Sequence, residues 1–367
     1  MSNQFYHLLA SWLPLKDSAN WVLGAVIQTR GSVYRKTGAL MLLSDAGHQL
    51  GMLSGGCIES DLLLQARKVI ALGKSRRVVY DASDDSNIAW RLGIGCGGAA
   101  EIVLHPCNST NDFLRLPEIF SCLQQQHACR FELQIEDAFA SFTPCSRAFS
   151  QRQHGSLKRA DDTDNGKQIL TTLINPLPHL LVLGSGVDLI PLCQLALILG
   201  WRITLVDQRL NPHKRENFPP QISALNTTVA ELDDELLHSV DGIIIAHHNL
   251  RLDAAAVAAL QARTLANPYI GLLGPAKRKA DVLVAAGFDE AQLNCLIAGP
   301  MGLALGGDLP ESIALSVLAE CHAKIFGSSA QPLGLMSALG DTLPALNLVA
   351  GAAINRAVSN EEFLTKK

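Results

Sequence analysis

The sequence predicts an α/β protein with two domains, an N-terminal α+β domain followed by a doubly wound domain with a parallel sheet. Three observations predict this. The chain has 367 residues, long for one core, and is 48% apolar and only 17% charged, below the roughly 25% charge of average chains. That composition suits well-buried cores and argues against disorder over most of the length. Short strand-like runs with turn signals fill the first hundred residues, whereas from His179 apolar runs alternate with helical patterns, the signature of βαβ units. The expected divisions are residues 1–107 for the first domain, 108–175 for a sheet extension and mobile linker, 176–327 for the doubly wound domain, and 328–367 for a helical tail.

The first domain opens with a short helix over Gln4 to Trp12, then a buried strand over Trp21 to Ile27. A basic, glycine-bounded loop follows, with Arg30, Arg35 and Lys36 around Gly31 and before Gly38. Its charges suit either a solvated turn or phosphate binding. Ala39 to Leu43 reads as a second strand, and Asp45-Ala46-Gly47 turns the chain into a third, Gln49 to Leu53. That strand leads into Ser54-Gly55-Gly56-Cys57-Ile58-Glu59. Paired glycines let the backbone turn sharply and admit a ligand close to it. They place Cys57 at the start of a helix whose Ile58, Leu62, Ala66, Val69 and Ile70 share one face, with Gly73 as its C-cap. The free N–H groups of such a start favour an anion, either a bound phosphate or the Cys57 thiolate. Glu59 and Asp61 suit the helix dipole there, and Glu59 is within reach of a ligand on the loop.

Arg77 to Tyr80 is the next strand, an acidic turn around Asp84 and Asp85 follows, and then comes Gly95-Cys96-Gly97-Gly98, leading into a strand over Glu101 to Leu104. So many glycines demand tight turns or close approach. Two glycine-flanked cysteines in one small domain suggest a paired site for a soft or thiolate-seeking centre, with Cys57 and Cys96 as its metal-facing groups. Phe131 to Ile135 is expected to extend the first sheet, and Ser146 to Lys167 to be a mobile loop.

The second domain begins with His179 to Leu183, a continuous apolar strand of the buried parallel kind. It runs into Gly184-Ser185-Gly186-Val187-Asp188, a helix closed by Gly200, and a strand over Arg202 to Val206 ending in Asp207. Strand, Gly-x-Gly turn, helix, strand and terminal acid make the first half of a Rossmann unit, with Asp207 near the spacing of a ribose-binding acid. The third glycine of the fingerprint is missing, and Asp188 puts negative charge where a pyrophosphate would lie. Arg209 is placed to pair a phosphate or carboxylate instead. His247 and His248 stand at the end of a strand over Asp241 to Ala246, where α/β ligands bind. Adjacent residues diverge there, so one histidine is expected near a ligand and the other in a capping or packing role. Further units follow: a helix over Asp253 to Leu265, a strand over Tyr269 to Leu273, a helix opened by Lys277, Arg278 and Lys279, a strand over Leu296 to Ala298, and a helix over Pro310 to Phe326.

The net charge of -4, with four Trp and four Tyr, gives no footprint for nucleic acid. Pro14, Lys16 and Asp17 interrupt the first apolar residues, so no signal peptide is expected, and no stretch is long and apolar enough to span a membrane. Nine cysteines without CxxC spacing fit reduced thiols and a cytoplasmic location.

These motifs, in this order, resemble the XdhC/CoxI family, accessory factors of xanthine dehydrogenase and related molybdenum hydroxylases. The resemblance is carried by Gly31-Ser32 with Arg35 and Gly38-Ala39, by Ser54 to Glu59, by Gly95 to Gly98, and by Gly184-x-Gly186-x-Asp188-x-x-Pro191. It continues through Asp207-Gln208-Arg209, His247-His248, Ile270 to Pro275, and Pro310-Glu311-Ser312-Ile313-Ala314. Tyr34 stands where the family more often has proline, and Ala304 where it often has aspartate. The resemblance implies a chaperone that binds molybdenum cofactor, as molybdopterin or its dinucleotide form, holds it for sulfuration and inserts it into a hydroxylase apoenzyme. It implies a maturation factor rather than a turnover catalyst, with a cysteine desulfurase-type sulfur donor; a homodimer is the expected state. The implied cofactor-binding residues are Arg35, Ser54, Gly55, Gly56, Cys57, Glu59, Gly95, Cys96, Gly97, Gly98, Gly184, Gly186, Asp207, Arg209, His247 and His248. Two other readings stand beside it. One is an NAD(P)-dependent oxidoreductase using Gly184, Gly186 and Asp207; the other is a zinc protein on Cys57, Cys96 and His247 or His248.

Overall fold

The computed structural model describes residues 3–81, 98–147, 155–159 and 167–333. The Gly95-Cys96-Gly97 motif, the acidic turn at Asp84 and Asp85, and the tail helix expected around Leu343 to Ala357 lie outside the described residues. Residues Ser329–Lys367 form a unit separate from Met1–Ser328.

The first sheet is antiparallel. It contains β1 (Trp21–Arg30), β2 (Leu40–Ser44), β3 (Gln49–Leu50), β4 (Arg76–Asp81) and β5 (Ala99–Cys107), in the order β3-β2-β1-β5-β4. The third strand is shorter than expected. Gly51 ends it at φ +92, and a Cβ there would lie 2.8 Å from the Leu8 side chain. Because side chains alternate along a strand, β1 and β2 bury both faces. Val22, Val26, Met41 and Leu43 pack under helix α2 (Glu59–Leu72). Trp21, Leu23, Leu40 and Leu42 pack on the other side, under α1 (Phe5–Trp12) and α3 (Leu116–Gln124). Gly73 caps α2 in the left-handed conformation, as its position requires.

Phe131 does not extend that sheet. Strands β6 (Ala128–Gln134), β7 (Ala140–Cys145), β8 (Ser156–Arg159) and β9 (Gln168–Ile174) form a second antiparallel sheet, in the order β7-β6-β9-β8. Its Phe131, Leu133 and Leu170 share the core of α1 and α3. A stretch of the expected loop over Ser146 to Lys167 is therefore strand β8. Leu157 and the partners of β8 on β9 supply the pairing that its polar flanks conceal.

The second domain is a six-stranded parallel sheet. Its strands are β10 (His179–Leu183), β11 (Arg202–Val206), β12 (Ser223–Leu225), β13 (Gly242–Ile245), β14 (Tyr269–Leu272) and β15 (Ile297–Ala298). The order β12-β11-β10-β13-β14-β15 reverses direction between β10 and β13, the switch point of a doubly wound Rossmann fold. Helices α4 (Ile190–Ile198) and α9 (Pro310–Ile325) cover one face. Helices α7 (Leu250–Gln261) and α8 (Ala276–Ala286) cover the other, and the short α5 (Pro212–Glu216) and α6 (Asp234–His238) lie in the connections. Among the described residues, no helix is long and apolar enough to cross a membrane.

The two domains meet through α1 and the segment after β7. His7 Nε2 lies 3.2 Å from the Gly200 carbonyl, and Arg147 donates to the Ser239 carbonyl at 2.5 Å and to Asp241. Gly200, Ser239 and Asp241 closely precede β11 and β13, so the first domain docks on the amino ends of the parallel strands.

Candidate functional site

In the first domain, the turn beneath Cys57 is held by its own side chains. Glu59 is buried and its Oε1 accepts from the N–H groups of Leu53 at 3.2 Å and Ser54 at 2.8 Å, while Oε2 accepts from Ile58 N–H at 3.2 Å and from the Ser54 hydroxyl. Ser54 Oγ in turn accepts from the N–H groups of Gly56, Cys57 and Ile58 at 3.2, 3.0 and 3.3 Å. The helix-start donors expected to meet an anion are thus already turned onto Ser54 and Glu59. Glu59 shapes the loop, and its carboxylate is committed there rather than turned toward a ligand. Cys57 itself is exposed, with Gly56 beside it at φ +104 and open space where a Cβ would sit. Only a glycine adopts that backbone without strain. Below the turn, Asp61 is buried and accepts a 2.6 Å hydrogen bond from Tyr80. Burial and that bond push the tyrosine hydroxyl's ionisation well above its ordinary range.

Two further stretches converge on the turn. The Tyr34 ring approaches the position of a Gly55 Cβ to 3.8 Å, so the basic loop leans against the glycine pair. Gly98 packs on the start of the same loop, where a Cβ would lie 2.1 Å from the Ser32 carbonyl oxygen and 2.8 Å from that of Arg30. Arg35 and Lys36 line a cleft of about 310 Å³ between this loop and β9, together with Thr37, Thr172 and Asn175. Partial burial there lowers the Arg35 pKa.

In the second domain, the carboxyl ends of the strands carry a continuous polar network. Asp207 is fully buried: Oδ2 accepts from the Ser185 hydroxyl at 2.7 Å and Arg209 Nη2 at 2.9 Å, and Oδ1 accepts from Arg209 N–H at 2.8 Å and Nε at 3.0 Å. Burial alone would raise its pKa; the Arg209 and Ser185 hydrogen bonds overcome that and bring it to about 2. Arg209 Nη2 also reaches across β10 to the His247 carbonyl at 3.0 Å. His247 is buried, with its N–H and its Nδ1 both 3.0 Å from Asp253 Oδ1, and Arg278 from α8 donates to Asp253 Oδ2. His248, by contrast, is exposed, sits at φ +54 and pairs through Nε2 with Asp188 at 2.8 Å.

Gly184, at φ +132, lets β10 and β13 converge; a Cβ there would lie 2.3 Å from the Ala246 carbonyl oxygen. At Gly186 a Cβ would meet Asp188 Oδ1 at 2.3 Å, so the Asp188 carboxylate folds over the glycine turn. The turn therefore offers a diphosphate a carboxylate where a dinucleotide fold offers bare backbone. Asp207, expected from its spacing to be a ribose-binding acid, is buried with both oxygens hydrogen-bonded to Ser185 or Arg209. The sequence signal for that outcome is Arg209, two positions beyond Asp207. The role of Arg278 has no such signal, because Asp253 is distant in the chain.

Among the described residues, no hydrogen bond or ion pair joins the Cys57 turn to this crevice. Helix α2 lies on one face of the first sheet, and the layer that docks on the second domain lies on the other. That docking is at the amino ends of the parallel strands, opposite Asp207 and His247. The cleft of about 710 Å³ between the domains, lined by His7, Trp201 and Arg202, is also at the amino ends, away from where such sheets bind ligands. Among the described residues, no group of three His, Cys, Asp or Glu side chains is gathered to hold a metal.

With this geometry in view, two family descriptions match the chain: the XdhC and CoxI family over residues 15–81 and the XdhC Rossmann domain over residues 180–321. The chain is 29% identical over 321 residues to a probable xanthine dehydrogenase subunit of Bacillus subtilis (strain 168), covering 83% of this chain and 93% of that one. It is 23% identical over 305 residues to the molybdenum cofactor insertion chaperone PaoD of Escherichia coli (strain K12), covering 82% of this chain and 81% of that one. A crystal structure described as a xanthine dehydrogenase from Bacillus halodurans superposes with a TM-score of 0.71 at 25% identity, over 90% of this chain and 98% of that one. Motif order, a Rossmann second domain and similarity along most of the length agree: this chain belongs to the XdhC and CoxI family.

Proposed function

We propose that this protein is an accessory factor that binds molybdenum cofactor as cargo and hands it to a molybdenum hydroxylase apoenzyme. One observation carries the reading: an exposed thiol, Cys57, is presented on a turn whose backbone donors and adjacent acid are already satisfied internally. A catalytic cysteine is commonly activated by a base within hydrogen-bond reach. Here the adjacent acid, Glu59, is spent on the backbone, so the turn is built to hold a soft centre rather than to turn over a substrate. The donor set fits the cargo, because molybdenum is thiophilic and the open Gly55-Gly56 backbone admits a bulky ligand. Cys96, two residues before Gly98, is the natural second thiol, either toward the metal or as a persulfide relay during sulfuration from a cysteine desulfurase-type donor. The names of the Bacillus subtilis and Escherichia coli relatives support this reading.

The separation of the Cys57 turn from the carboxyl-end crevice supports a homodimer in which one copy's turn faces its partner's crevice. The buried Asp207 and the Asp188 carboxylate over Gly186 weigh against an NAD(P)-dependent oxidoreductase. The test incubates purified protein with molybdenum cofactor, removes free cofactor by gel filtration and measures bound molybdenum. Wild type should retain it, and Cys57→Ala and Cys96→Ala should lose it together with the ability to activate apo-hydroxylase. Full retention and full activation by both variants would sink the reading, as would tight NADH binding without cofactor binding. Light scattering should give twice the mass of the chain.

A further inference from the structure

Arg209 and Arg278 stand on opposite flanks of the switch point. Arg209 follows β11 and spans the end of β10 to reach the His247 carbonyl. Arg278 comes from α8, beyond β14, and reaches back to Asp253, which also holds His247. Each guanidinium is thus anchored by a buried carboxylate, Asp207 or Asp253, each no more than 1% exposed at the side chain. Each cation nevertheless keeps a solvent face, at 40% exposure for Arg209 and 25% for Arg278. Among the described residues, the Nη1 group of neither arginine has a partner, and Arg278 Nε is buried without one. Two rigid forks with unused donors, pinned so that little ordering entropy remains to be lost, match the geometry of a diphosphate. Two other candidate anion sites are closed: Asp188 covers the glycine turn, and the N–H groups beneath Cys57 are consumed by Ser54 and Glu59.

We propose that the carboxyl-end crevice of the second domain is a phosphate-ester site, in which Arg209 and Arg278 clamp a phosphate-bearing ligand between them. Resting on the cargo reading above, this site takes the phosphorylated end of the cofactor, whose thiol-seeking end meets Cys57 of the second copy in the proposed homodimer. The shared chemistry has two sources, a lone terminal phosphate or a diphosphate linking a nucleotide.

Isothermal titration of the full chain with inorganic phosphate, inorganic pyrophosphate and ADP tests this without molybdenum. Pyrophosphate should bind, and bind more weakly as salt rises. Arg209→Ala and Arg278→Ala should each weaken it by about tenfold or more, the loss of a charge-assisted pair. Phosphate as tight as pyrophosphate identifies the lone-phosphate source, and ADP tighter than both identifies the nucleotide. Where an alanine variant unfolds, Arg209→Lys or Arg278→Lys keeps the ion pair to the buried aspartate but loses the fork, and should still bind several-fold more weakly. No binding by wild type, or unchanged pyrophosphate affinity in the folded variants, overturns the proposal. Cys57→Ala should bind pyrophosphate as wild type does, so failure of the thiol reading and failure of this one are separable.

Discussion

The Ser54 hydroxyl donates to the Glu59 carboxylate while accepting from the backbone of Gly56, Cys57 and Ile58. Two side chains five residues apart therefore hold the whole turn under the exposed thiol. Glu59→Gln keeps the size but presents one acceptor oxygen where there were two, leaving backbone donors of Leu53, Ser54 or Ile58 unmet. The expected cost is about 1–3 kcal/mol, read as a lower midpoint in urea denaturation. An unchanged midpoint would show that the turn does not depend on this carboxylate.

Thiol accessibility separates Cys57 from the buried cysteines. Cys107, Cys122, Cys129, Cys193 and Cys321 are buried, and burial pushes the Cys107, Cys129, Cys193 and Cys321 thiols up, that of Cys193 to about 12. Brief alkylation of native protein followed by peptide mass spectrometry should modify Cys57 first among these six. Comparable labelling of Cys193 or Cys321 would contradict the packing of the second domain.

Gly184 and Gly47 form a matched pair. Both have positive φ, but Gly47 has nothing within 4 Å of a Cβ, whereas Gly184 has the Ala246 carbonyl oxygen at 2.3 Å. Gly47→Ala should cost only the backbone term, about 1 kcal/mol. Gly184→Ala must also force the two strands apart and should cost at least about 3 kcal/mol, visible in thermal melts. Similar melting of the two variants would mean that β10 and β13 do not approach this closely.

Acid should destabilise the protein through two buried histidines. Burial lowers the His105 pKa to about 4, and burial with the charges of Arg202 and Arg147 lowers that of His179 to about 3. Both lie below the ordinary value of 6.5, so the unfolded chain binds more protons between roughly pH 6.5 and these values. Stability is full above that window and falls as pH drops through it, by on the order of 2–3 kcal/mol per histidine at pH 4. Asp241 opposes them: burial raises it to about 6, so its protonation favours the folded state between pH 6 and its ordinary 3.8. His105→Asn should lower stability at neutral pH but flatten the loss between pH 6.5 and 4, measured by urea midpoints across that range. An unaltered slope would mean that His105 is not held neutral.

Much of the fold was legible because periodicity encodes burial. The continuous apolar runs of β10, β11 and β13 are buried on both faces, and the spacing of Leu62, Ala66 and Val69 marks the inner side of α2. What escaped was set by pairing between distant strands. Phe131 has the same alternation whether it joins the first sheet or, as observed, a second one with β9, because an alternating pattern does not name its partner.

The sequence alone determined that Cys57 sits on a glycine turn at a helix start, that a Gly-x-Gly unit opens a parallel sheet, and which family the motifs resemble. These follow from local chemistry: backbone freedom at glycine, hydrophobic period and the spacing of acids. Only the tertiary structure decided where the donors and charges go. It engaged Glu59 and Asp207 in buried hydrogen bonds and placed Arg278 beside His247 through Asp253. The physical reason is that a buried carboxylate must find its partners wherever packing brings them, and no spacing along the chain records that choice.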